Sequence, residues 1–123
     1  MRLLMIAIGG ALGALARYGV STAIQDRLPA GFPWGTFIVN LTGCFVMGVV
    51  ATLLTERTMA NPNLRYLIPI GFIGAYTTFS AFEYDTFRAL TEGAWVAGLL
   101  NVLASVIVGY AALWAGVSLA RGL

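Results

Sequence analysis

Residues 71 to 85 read Gly71-Phe72-Ile73-Gly74-Ala75-Tyr76-Thr77-Thr78-Phe79-Ser80-Ala81-Phe82-Glu83-Tyr84-Asp85. They sit inside a largely apolar run from Leu67 to Leu90, and roughly 20 such residues suffice for a helix to span the hydrocarbon core of a bilayer. Near the midpoint, a glycine, a small residue and two adjacent threonines make poor helix. The stretch therefore predicts a membrane helix broken near Thr77. Backbone carbonyls freed at that depth are tolerated only inside protein or against water, and they are natural ligands for a cation such as Na⁺. After the break, Phe79 and Phe82 are three apart and share a helix face. Their positive ring edges can stabilise an anion without trapping it as an arginine would, or the rings can simply pack a core. Glu83 and Asp85 follow nearer the interface, where Arg88 is placed to pair with either.

Working outward, three further apolar runs of spanning length appear: Leu3 to Ile24, Trp34 to Leu54, and Ala94 to Leu119. Polar breaks fall between the runs. Gln25-Asp26-Arg27-Leu28-Pro29-Ala30-Gly31 ends the first with a charge pair and a turn. Glu56-Arg57-Thr58 through Asn61-Pro62-Asn63 parts the second from the third, and Thr91-Glu92-Gly93 the third from the fourth. The last connection is short enough to make its helices antiparallel neighbours. The expected architecture is an all-α membrane protein, residues 1–123 forming a single four-helix transmembrane domain with both termini on one side. A β-barrel would instead show alternating strands of about 10 residues.

Composition agrees. Apolar residues make up 59% of the 123 and charged ones 10%, against about 45–50% and about 25% in soluble chains. Mean hydropathy is +0.87. There is no histidine, and one cysteine, Cys44, can form neither an internal disulfide nor a cysteine metal cluster. Net charge is +2 and all seven basic residues are arginine, too few and too scattered for a nucleic-acid footprint. Asp and Glu occur only near helix ends, and no phosphate-binding loop is present, which argues against an enzyme. Met1-Arg2 with Ala14-Leu15-Ala16 has the form of a signal peptide, but the apolar run continues past Ala16, so a retained helix is expected. Arg2, Arg57, Arg65 and Arg121 fall on the side of the termini, Arg27 and Arg88 on the other, a slight bias toward cytoplasmic termini.

Polar residues at depth are costly and mark function or inter-helix bonding. Arg17, in the first run, either snorkels to the headgroups or caps a helix and sets the potential of an aqueous entrance. Thr36, Asn40 and Gly43 share a face of the second helix, where the Asn40 amide either bonds a neighbouring helix or donates to a permeating group. Asn101 and Ser105 share a face of the fourth. Gly9, Gly10 and Gly13, Gly43 and Gly48, and Gly98, Gly109 and Gly116 let helices approach closely, within one chain or against a second copy.

Three motifs then fall in order on three helices: Gly9-Gly10-x-x-Gly13-Ala14-x-x-Arg17-Tyr18, Gly35-Thr36-x-x-Val39-Asn40-x-x-Gly43, and Gly71-x-x-Gly74-x-x-Thr77-Thr78-Phe79-Ser80-x-Phe82. Over nearly its whole length the chain resembles the Fluc (CrcB) family of fluoride channels. Ala75 and Ala81 stand where that family usually shows Gly and Thr, and Asp85 where Glu is common. The resemblance implies an antiparallel, dual-topology homodimer in a bacterial-type inner membrane, with two fluoride pores. It implies that the backbone carbonyls of Gly74 and Thr77 from both subunits hold a structural Na⁺. It gives Asn40, Phe79, Phe82, Ser80 and Ser105 to the fluoride pore and Arg17 to its vestibule, with Asn101 beside Ser105 in the fourth helix.

The rival class is a small multidrug-resistance-type proton-coupled transporter, also a short four-helix chain that dimerises. Proton exchange there depends on a glutamate buried in the first helix, where this chain carries Arg17 and no carboxylate. A purely structural subunit would explain the glycines but not a mid-membrane break followed by spaced phenylalanines.

Overall fold

The computed structural model describes residues 1–57 and 61–123; Thr58, part of the expected break between the second and third crossings, lies outside the described residues. Among the described residues all the regular structure is helical, in the order α1 (Arg2–Gln25), α2 (Trp34–Glu56), a π-helical segment (Tyr66–Ile73), the short turn α3 (Gly74–Tyr76), α4 (Phe79–Thr91) and α5 (Trp95–Gly122). By length and apolar composition α1, α2 and α5 are each able to cross a membrane. The third crossing is assembled from the π-helical segment, α3 and α4. Helix α1 runs unbroken through Ala14–Ala16.

The wide turns at the start of the third crossing have a local cause. Pro69 lies inside that segment and has no N–H to give to the carbonyl one turn back, and its ring clashes with that carbonyl in an α-helix. Widening to π geometry relieves the clash. Glycines on α1 then let the two backbones touch. A Cβ on Gly9 would collide with the Leu67 carbonyl, and one on Gly13 with the Phe72 carbonyl. The same device joins α2 to α5, since a Cβ on Gly48 would strike the Leu113 carbonyl and one on Gly116 the Phe45 carbonyl. These glycines serve packing within the chain. Gly10 and Gly19 have nothing within contact distance of an added Cβ.

The ends are closed by specific bonds. Gln25, last residue of α1, accepts from the Gly35 N–H (3.1 Å) and donates to the Phe32 carbonyl (3.4 Å), so it caps α2 from the neighbouring helix. After α4 the chain turns on Gly93, at φ +83°, with Ala94 N–H donating to Ala89 O (2.8 Å) and Gly93 N–H to Leu90 O (3.3 Å). That is a Schellman turn, and glycine supplies its left-handed residue. Arg88 pairs across it with Glu92 at 3.6 Å rather than with Glu83 or Asp85. The i,i+4 spacing toward the helix end brings that carboxylate alongside. At the opposite end Arg121 Nη2 meets Glu56 Oε1 at 2.7 Å, tying α5 to α2.

The interior is small. Val39, Ile73, Phe82 and Ala120 are its buried apolar residues, while long rows of Leu, Val, Ile and aromatic side chains face outward. In water that surface would aggregate; in a bilayer it is the wetted face.

Candidate functional site

The break falls where the two threonines stand. Thr77 (φ −79°, ψ 155°) and Thr78 (φ −148°, ψ 122°) are extended between α3 and α4. Asn40, from α2, closes the gap. Its Nδ2 donates to Thr78 O at 2.9 Å and its Oδ1 accepts from Thr78 N–H at 2.8 Å, so one side-chain amide satisfies both backbone groups of one residue. Thr78 Oγ1 accepts from Ala81 N–H (3.3 Å) and caps α4.

These side-chain bonds have a consequence for the carbonyls upstream. In an unbroken helix the Thr78 N–H would donate to the Gly74 carbonyl and the Ala81 N–H to the Thr77 carbonyl. Both donors are diverted, to Asn40 and to the Thr78 hydroxyl. The Thr77 carbonyl instead faces Arg17 Nη1 at 3.5 Å. Arg17 thus points inward to the broken helix end. Gly74 is exposed on the surface of the single chain. Beneath the break, Gly43 lets α2 approach so closely that a Cβ there would collide with Thr77 Cγ2, and Thr42 Oγ1 lies 3.0 Å from the Tyr76 hydroxyl.

An open cleft of about 500 Å³ leads to this point, and Arg17, Ser21, Thr36, Thr78 and Ser80 give it its polar lining. A second cleft of about 580 Å³ shares Ser21 and Thr36 with the first and reaches the bundle end, where Asp26, Asp85, Glu92 and Arg88 line it. The inner cleft carries a guanidinium and hydroxyls and no carboxylate; the outer one carries carboxylates. A passage lined in this way offers hydrogen-bond donors to a small anion at its inner end.

The sequence-predicted residues divide into two groups. Arg17, Asn40, Thr77 and Ser80 gather at the break, with Gly74 one turn before it. Phe79 and Phe82 lie with ring centroids 5.8 Å apart and tilted by 48°. Their surroundings differ sharply: Phe82 is 6% exposed and Phe79 75%. Around Phe82, a polar chain connects α4 to α5. Thr86 Oγ1 donates to Phe82 O (2.9 Å), Asn101 Nδ2 to Thr86 Oγ1 (3.0 Å), and Ser105 Oγ to Asn101 Oδ1 (3.4 Å). Asn101 is 1% exposed, a polar side chain among the most buried in the protein. Ser105 therefore stands with Phe82 and Asn101, apart from Ser80 and the cleft. Thr86, Ser21 and Thr78 were not singled out from the sequence as site residues. Ser21 follows Arg17 by four, so its place on that face was available from spacing; Thr86 gave no signal, because its partner lies on another helix.

The fold and this break define a multi-pass, all-helical membrane protein whose third crossing is interrupted by a hydrogen-bonded polar kink. A family model described as CrcB-like protein, Camphor Resistance (CrcB) matches residues 4–117. A fluoride-specific ion channel FluC from Solibacter usitatus is 53% identical over 121 residues, covering 98% of this chain and 99% of the relative. Proteins of the same name from Acidobacterium capsulatum and Magnetococcus marinus are 49% and 42% identical over 116 and 121 residues. The chain belongs to the CrcB family.

Proposed function

We propose that the protein is a passive, fluoride-selective channel that exports cytoplasmic fluoride across a bacterial inner membrane. The observation that carries this reading is the inner cleft, lined by Arg17 and by hydroxyls that include those of Ser21, Thr36, Thr78 and Ser80, with carboxylates kept to the mouth. The names of the relatives supply the ion. Fluoride is small and strongly hydrated, so a pore must replace its water with several weak donors and still release it. The amide of Asn40, the hydroxyl of Ser80 and the ring C–H edges of Phe79 and Phe82 are such donors, with Ser105, whose hydroxyl donates to Asn101, beside Phe82. A membrane potential negative inside contributes about 2.3 kcal/mol per 100 mV toward expelling a monovalent anion, so no coupled proton is required.

The working unit is an antiparallel homodimer with two pores. Support comes from the single chain's surface. Gly74, whose carbonyl has lost its helical donor, is exposed near the middle of the crossing, and Phe79 is exposed beside it. Backbone polar groups at that depth require protein or water against them, and a second copy supplies it. The carbonyls of Gly74 and Thr77 are hard oxygen donors that suit Na⁺. Two per chain are few for a cation, and the Arg17 charge opposes one, so a site shared by both copies is the arrangement that fits. When bound, Na⁺ would neutralise these carbonyl dipoles and hold the two breaks together.

Fluoride flux should run at the same rate with or without an imposed pH gradient, and should fall when Na⁺ is exhaustively removed. Flux driven by the proton gradient would favour the transporter class, and full activity without Na⁺ would reject the cation site.

A further inference from the structure

Arg2 at the start of α1 and Arg65 just before the third crossing converge on one ring. The Arg2 Cζ lies 5.3 Å from the centroid of Tyr66 and the Arg65 Cζ 4.8 Å from it, and Arg65 Nη2 donates to the Tyr66 hydroxyl at 2.7 Å. Among the described residues, no carboxylate lies within ion-pair distance of either guanidinium. Two like charges gathered on one phenol repel, and cation–π attraction offsets only part of that. The shared ring holds both guanidiniums close together while leaving most of their N–H donors unused, since only the Arg65 bond to Tyr66 is made. The chemistry that completes such a pair is an oxyanion able to take bidentate bonds from planar guanidiniums.

The position narrows the ligand. Both arginines stand at one end of two membrane crossings, and exposed apolar surface continues inward from them at Leu3 and at Ile70, one turn beyond Tyr66. We propose that Arg2, Arg65 and Tyr66 bind the phosphate of an anionic lipid headgroup, with its acyl chains along that apolar surface. The site is separate from the cleft and independent of the ion conducted. In an antiparallel dimer it would occur once in each leaflet.

Native mass spectrometry of the purified full-length protein, released from detergent holding equal amounts of phosphatidylglycerol and phosphatidylcholine, tests the site. Phosphatidylglycerol adducts should predominate, and the double variant R2Q/R65Q should reduce them by about tenfold, each arginine near a membrane surface contributing comparably. Tyr66→Phe keeps the platform and should keep the adducts; Tyr66→Leu should lose most of them. Because the arginines are exposed, the double variant should elute as the parent does on size exclusion. Should it fail to, Arg2→Gln alone should still give a severalfold reduction. An excess of inorganic phosphate should leave the lipid adducts in place. Equal retention of the two lipids, undiminished phosphatidylglycerol on R2Q/R65Q, or displacement by inorganic phosphate would overturn the assignment.

Discussion

Asn40 does two things at one position. One N–H and the carbonyl of its amide hold Thr78, leaving a second N–H for another acceptor. Replacement by Ala would orphan a backbone donor and acceptor at mid-membrane, each worth about 1–3 kcal/mol. Asn40→Ala should therefore lower stability in detergent by about 2–6 kcal/mol as well as stop flux; unchanged stability would show that Thr78 finds other partners. The phenylalanines separate differently. Phe79 is exposed in the single chain, so Phe79→Ile should leave the monomer fold unharmed and still depress fluoride flux if the ring lines a pore. Phe82→Ile enlarges a buried site and should add about 1–2 kcal/mol of destabilisation to its flux loss. Flux unchanged in both would return the rings to packing. The spacing of Phe79 and Phe82 showed that they share a face; their unequal burial was not legible, because it depends on how the other helices pack around α4.

At the scale of elements, glycine positions sort by what they meet. Gly13→Ala would drive a Cβ into the Phe72 backbone, which cannot yield as a side chain would, and should separate α1 from the third crossing. Gly10→Ala meets open space within the chain, and alanine should favour helix there by about 0.5–1 kcal/mol. A thermal melt compares the two, Gly13→Ala being much the less stable; equal stability would contradict the contact between α1 and the π-helical segment. The four crossings and the break at the threonines were legible from apolar run length and from helix propensity. The π-helical widening was not. Pro69 was not singled out, and a proline alone does not decide whether the chain kinks, breaks or widens; that depends also on the α1 backbone packed against the segment through Gly9 and Gly13. The Arg88 pairing also came out differently: Glu83 and Asp85 were its expected partners, whereas Glu92, one turn further on at i,i+4, is the carboxylate that lies alongside.

The whole molecule is a thin bundle in which two adjoining clefts lead to one polar interruption, and long rows of apolar side chains cover much of the remaining surface. The polar residues that gather there, Arg17, Thr36, Asn40, Thr78 and Ser80, come from three separate crossings; their residue types were visible in the sequence, but their convergence required the fold. On the proposed function, this convergence passes fluoride and not larger halides, driven only by potential. The most direct measurement is ion efflux from liposomes reconstituted with the purified protein and loaded with fluoride or chloride, with valinomycin supplying the K⁺ counter-current. Rapid loss of fluoride that requires valinomycin, with chloride retained, is the predicted result. Retention of both ions, or loss of both at equal rates, would contradict it.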